Sequence, residues 1–163
     1  MKAAALRIQA ALDALGLGRT VLELSVEART AQQAAEAVGV GVGQIAKSLV
    51  FTVDGEPVMV VASGVNRVDE RKLAALAGGN VRRADADTVR RVTGYTIGGV
   101  PPFGHDTPLP IWVDEDLLRH TLIYAAAGAP ECVFPLSPDD LLRATGGRVA
   151  DLKESKSAKG GPA

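Results

Sequence analysis

The chain has 163 residues, 47% of them hydrophobic and 23% charged, with a formal net charge of −1. That length and balance suit one globular domain with one core. Near-neutrality excludes whole-molecule attraction to nucleic acid, so any such contact has to be local. Three Phe, two Tyr and one Trp leave the core to aliphatic side chains. No apolar run approaches the roughly 20 residues of a membrane-spanning helix. Met1-Lys2-Ala3-Ala4-Ala5 lacks the apolar stretch and cleavage site of a secretory leader. The single cysteine, Cys132, cannot close an internal disulfide, which fits a reducing, cytoplasmic setting. Its neighbours Val133 and Phe134 mark it as core filling.

Ile8, Leu12 and Leu15 share one face of a first helix, which Gly16 and Gly18 end. Thr20 to Val26 alternates Leu22, Leu24 and Val26 with polar residues and reads as a strand. Thr30-Ala31-Gln32-Gln33 is a capping-box start for a helix through Val38. Lys47 to Val53 and Val58 to Ala62 read as a hairpin joined at Asp54-Gly55. Asp69 caps a helix carrying Leu73 and Leu76, and Asp85 starts another with Val89 and Val92, ended by Gly94. A Gly- and Pro-rich loop runs from Tyr95 to Pro108, followed by buried strands at Leu109 to Val113 and Thr121 to Ala125. Between them, Asp114-Glu115-Asp116 reads as a cap before Leu117 rather than a metal site. Ser137-Pro138 opens the last helix, and Arg148 to Leu152 forms a short final strand. The expected fold is α+β: a mixed, mainly antiparallel curved sheet or partial β-barrel with short helices packed outside. One domain spans residues 1–152, and Lys153 to Ala163 is a polar tail that reads as disordered.

The segment from Thr93 to His105 carries Gly94, Gly98, Gly99 and Gly104 together with Pro101 and Pro102. Glycines let backbone N–H groups approach a ligand, and prolines stiffen the loop that holds them. Such a loop can hold a carbonyl oxygen or phosphate without reorganising. Lys47, between a Gly-rich turn and an apolar strand, can aim a cation into a cleft. Arg82, Arg83, Arg90 and Arg91 offer a basic patch. His105 and His120 are the only histidines. There is no nucleophile elbow, no Walker loop and no metal-ligand spacing of His or Cys.

Two segments taken together narrow the reading. Gly43-Gln44-Ile45-Ala46-Lys47-Ser48-Leu49-Val50-Phe51 and Thr93-Gly94-Tyr95 through Gly98-Gly99-Val100-Pro101-Pro102-Phe103-Gly104-His105 resemble the two signature regions of the YbaK/ProX (YbaK/EbsC) family. The resemblance runs from about Thr30 to Leu152. It implies a free-standing aminoacyl-tRNA deacylase related to the editing domain of bacterial prolyl-tRNA synthetase. The implied reaction is hydrolysis of the ester joining a wrong amino acid to the terminal adenosine of tRNA, with tRNA for proline as the carrier. On this resemblance Lys47 matches the functional lysine, Gly98 and Gly99 the paired glycines, and Gly104 the later glycine.

The expected catalytic set is therefore Lys47, Gly98 and Gly99. Thr93, Gly94, Tyr95, Gly104 and His105 are expected to bind substrate, and neither a metal nor a cofactor is expected. The partners implied are the tRNA acceptor end and prolyl-tRNA synthetase. Pro101-Pro102 stands where many relatives have Ser-Pro, and His105 where some have Gln. The alternative is a non-catalytic regulatory module that binds a nucleotide or tRNA end in the same cleft. A general esterase lacks its Ser/His/Asp arrangement.

Overall fold

The computed structural model describes residues 1–155. Five helices lie at Ala3–Ala14 (α1), Ala31–Val38 (α2), Glu70–Ala77 (α3), Ala86–Thr93 (α4) and Pro138–Thr145 (α5) among these residues. Eight strands lie at Leu22–Glu23 (β1), Ile45–Val53 (β2), Glu56–Ser63 (β3), Val81–Arg83 (β4), Ile111–Asp114 (β5), Ile123–Ala126 (β6), Cys132–Leu136 (β7) and Arg148–Ala150 (β8). They form one mixed sheet in the order β1-β7-β6-β2-β3-β5-β8, with β4 also on β2. Four pairings are antiparallel and three are parallel. The α+β expectation of a curved sheet with helices outside holds.

Local chemistry accounts for the element ends. Thr30 Oγ1 accepts from the Gln33 N–H, and the Gln33 side chain closes the capping box. Ser137 caps α5 with a capping box of its own, and the Asp69 and Asp85 side chains accept first-turn N–H groups of α3 and α4. Asp54 and Gly55 both have positive φ, 50° and 84°, as a two-residue hairpin turn requires. Asp114 caps a 3-10 helix at Glu115–Arg119 by accepting from the Asp116 N–H.

The sheet is buried on both faces. Along β3, Met59 and Val61 join a cluster with Ile8, Leu12, Phe103 and Phe134, while Val58, Val60 and Ala62 join Phe51, Leu73 and Trp112. Each fully buried side chain of this size contributes about 1.5–3 kcal/mol. β2 is the central strand. β3 covers one edge of it from Ala46 to Val53. The other edge is divided: β6 pairs with Ile45 and Ala46, and β4 pairs with Phe51 to Val53.

Some expectations fail. The strand read over Thr20 to Val26 shrinks to Leu22–Glu23, and Leu22 and Val26 are exposed. This segment pairs with the sheet only at β7's Cys132 and Val133, and of its alternating apolar residues only Leu24 packs on a buried cluster. Leu15 and Leu76 also turn outward, each at the C-terminal end of its helix. Strands β4 and β7 were not anticipated. Lys153 and Glu154 continue past the expected domain end: Lys153 bridges to Val68, and the Glu154 N–H donates to the Arg67 carbonyl. The rest of the expected tail, 156–163, lies outside the described residues.

Candidate active site

The division of β2 opens a cavity of about 620 Å³, within the usual range for a small-molecule site. Its walls come from the start of α2, the middle of β2, the turn between β6 and β7, and the loop after α4. Arg29, Lys47, Arg67 and Arg83 line it, and among the described residues no Asp or Glu does. The interior is apolar, with Val50, Val89, Val100, Ala125 and Cys132. Cys132 is fully buried, and burial pushes its thiol above the ordinary value, so it is a wall and not a nucleophile.

Lys47 sits on β2 opposite Ala62. Burial holds its ammonium below the ordinary lysine value. Arg83 lowers it further, Asp114 pulls it back up, and Arg67 adds a smaller lowering. Arg29 pairs with Glu27 and Arg67 with Glu154, whereas Lys47 and Arg83 form no ion pair among the described residues. The Arg83 guanidinium lies 5.6 Å from the centre of the Phe51 ring. A partly desolvated cation without a carboxylate partner is poised for an anion brought by a ligand.

From the glycine loop, Ile97, Gly98 and Val100 reach the cavity. Gly98 has φ +95°, and a Cβ there would meet nothing within 4 Å. Its N–H has no acceptor among the described residues. The neighbouring Gly99 N–H donates to the Thr96 carbonyl at 3.0 Å, and the Gly99 carbonyl accepts from the Gly128 N–H at 2.9 Å. Gly99 is thus a packing point of the loop against the β6–β7 turn, while Gly98 lines the cavity.

Thr93, Gly94, Tyr95, Gly104 and His105 do not line the cavity. They form a separate anchor on the α1 side. Thr93 Oγ1 is buried; it donates to the Val89 carbonyl at 2.7 Å and accepts from the Tyr95 N–H at 3.0 Å. Gly94 ends α4 and lies against the Asp106 carboxylate. Tyr95 is buried beneath the Arg7 guanidinium, which also donates to the Gly104 carbonyl and pairs with Asp106. His105 Nε2 lies 2.7 Å from the Pro101 carbonyl. A carbonyl can only accept, so Nε2 carries the proton. Burial lowers the His105 pKa, which favours the neutral ring.

A profile of the aminoacyl-tRNA editing domain matches residues 25–144. The chain belongs to that family. A candidate Cys-tRNA(Pro)/Cys-tRNA(Cys) deacylase, EbsC of Enterococcus faecalis, is 31% identical over 126 residues, 76% of each chain. A proline–tRNA ligase of Maridesulfovibrio salexigens is 36% identical over 93 residues, 56% of this chain and 16% of that one. The crystal structure of a candidate trans-editing enzyme for prolyl tRNA synthetase superposes with a TM-score of 0.91 at 48% identity. That match covers 95% of this chain and 99% of the other.

In this editing domain, sequence reasoning missed Arg29, Arg67 and Arg7. Arg29 precedes a helix cap, and Arg67 follows a strand end; neither carries a local signal, and only the fold brings them to Lys47. Of the four arginines read as a basic patch, Arg83 lines the cavity and Arg82, Arg90 and Arg91 do not.

Proposed function

We propose that the chain hydrolyses the ester between a wrong amino acid and the 3′ end of tRNA, acting in trans on tRNA for proline. The observation that carries this reading is the four-cation, carboxylate-free cavity in which Lys47 and Gly98 face the same space. The similarity to editing domains supports the reaction class, and the ligase relatives support the choice of tRNA. A cytoplasmic location and prolyl-tRNA synthetase as a further partner follow from the same reading.

No protein nucleophile is required. Water adds to the ester carbonyl, the tetrahedral intermediate collapses, and the free amino acid and the tRNA hydroxyl leave. The vicinal ribose hydroxyl orients the water and relays its proton. Lys47 holds the terminal phosphate or the ester oxygen. The Gly98 N–H donates to the developing oxyanion, a role worth about 3 kcal/mol in hydrolases. The apolar interior receives the amino-acid side chain, where one methylene changes affinity by only about 1–3 kcal/mol. His105, neutral and bonded to Pro101, positions the loop. His105→Gln keeps a donor for that carbonyl and should avoid the roughly 10²-fold loss that follows removal of a general acid or base. A dead His105→Gln enzyme would move the proton transfer to this ring.

The test is a panel of alanyl-, cysteinyl- and seryl-tRNA for proline, assayed with and without exhaustive chelation. Among the described residues no three His, Cys, Asp or Glu side chains converge as metal ligands. Hydrolysis of at least one mischarged tRNA should survive chelation of transition metals. Loss of activity on zinc removal, restored by zinc, would contradict the proposed chemistry.

A further inference from the structure

The middle of β2 carries backbone groups that no strand pairs. Residues 47–50 lie between the end of the β6 pairing at Ala46 and the start of the β4 pairing at Phe51. Along a strand, alternate residues direct their N–H and C=O to opposite edges. The Val50 carbonyl accepts from the Ala84 N–H at 3.1 Å, on this divided edge. Ser48, two residues earlier, therefore directs its N–H and C=O to the same side, and so does the Val50 N–H. Both residues line the cavity. Ser48 Oγ is likewise buried without a hydrogen-bond partner. Leaving such groups unpaired away from water is unfavourable, a cost that a ligand entering the gap removes.

We propose that this edge reads the terminal adenine of the tRNA, a reading that rests on the deacylase function above. The adenine amino group at N6 donates to the Ser48 carbonyl, and N1 accepts from the Val50 N–H. The strand offers acceptor then donor, and the Watson–Crick edge of adenine offers donor then acceptor. The gap of four residues spans about 13 Å. β4 and β6 close its ends, so it admits a planar base and blocks a peptide strand running through. Ala84 at the β4 end, Ala126 at the β6 end and Val89 give the base apolar walls. With the base held there, Lys47 on the same strand and Gly98 across the cavity lie on the side open to the ribose and its ester.

The test uses the full chain and an uncharged RNA minihelix ending in CCA. Its terminal adenosine is replaced in turn by 7-deazaadenosine, 1-deazaadenosine and purine riboside, and Kd is measured by fluorescence anisotropy. The 7-deaza end, which keeps N1 and the amino group, should bind like adenosine. The 1-deaza and purine ends should each bind about fivefold more weakly or worse, the equivalent of one lost hydrogen bond. Equal affinity for all four ends overturns the proposal. The Val50 amide resonance should also shift on saturation with adenosine 5′-monophosphate, and an unmoved resonance overturns it as well. Because the RNA is uncharged, base reading is scored independently of hydrolysis. A chain that prefers adenine but cleaves no mischarged tRNA fails as a deacylase and not as a base reader.

Discussion

Replacing Lys47 with Met should lower kcat/KM for deacylation at least tenfold, about 1.4 kcal/mol of transition-state stabilisation, without lowering Tm. The two halves of this expectation have one cause. Lys47 is partly buried among like charges, which holds its pKa below the ordinary value. The folded state therefore binds protons more weakly at this site than the unfolded state does. At neutral pH the lysine is charged in both states, so the folded protein bears the whole cost of that charge. The cost fades as pH rises from the folded to the unfolded pKa, and stability grows over that window. Met keeps the aliphatic stem and removes the charge. The variant should melt at the same temperature or higher at neutral pH, with a flatter stability profile in the alkaline range. Thermal melts across pH, alongside single-turnover kinetics, check both halves. A Met variant with normal turnover removes Lys47 from the mechanism.

Gly99→Val should damage the fold, and Gly98→Ala the chemistry. A Cβ at Gly99 would lie 2.9 Å from the Ala129 backbone nitrogen and 2.9 Å from the Gly128 carbonyl carbon. Neither neighbour is a flexible side-chain end, so the loop or the β6–β7 turn has to shift. Overpacking of this kind costs about 1–3 kcal/mol, and each kcal/mol lowers Tm by about 2–4 °C in a domain of this size. The sequence alone suggests that a side chain at either glycine intrudes on the pocket. The structure separates the two positions. At Gly98, which lines the cavity, an added methyl would meet nothing within 4 Å, with a backbone strain of about 1–2 kcal/mol from the positive φ. Calorimetry and single-turnover deacylation on the two variants distinguish these effects. A Gly99→Val protein with unchanged Tm, or a Gly98→Ala protein with unchanged rate, contradicts the assignment.

Signals carried by neighbouring residues were legible in the sequence. Thr30, Asp69, Asp85 and Ser137 announce helix starts because each side chain bonds a backbone N–H two or three residues away. Asp54-Gly55 announces the hairpin by its backbone angles. Elements whose reason is tertiary were not legible. β4 is three residues long with two arginines, and it exists because β2 offers an edge to Val81–Arg83. β7 contains Pro135, which reads as a break. It is tolerated because β1 reaches only Cys132 and Val133, leaving one side of Pro135 without a strand.

The site divides the same way. Lys47 and Gly98 stand out by residue type and setting, and the cavity takes both. Thr93, Tyr95, Gly104 and His105 belong to the same conspicuous segment, yet they do not line the cavity: Tyr95 and Gly104 hold the loop to α1 through Arg7, and Thr93 and His105 bond carbonyls or N–H groups of neighbouring residues. A run of unusual residues marks a loop that must be rigid without saying which part touches the ligand. Arg29, Arg67 and Arg83 come together only when α2, the turn after β3 and β4 fold against β2.

The most direct measurement is single-turnover release of amino acid from tRNA for proline, set beside the affinity for the same tRNA. The chain should bind the tRNA and release a wrong amino acid far faster than the uncatalysed rate. Correctly charged prolyl-tRNA should remain intact, and Lys47→Met should lose at least tenfold in release. Tight binding of the charged tRNA with no release of any amino acid would contradict the account and leave the cavity as the binding site of a regulatory module.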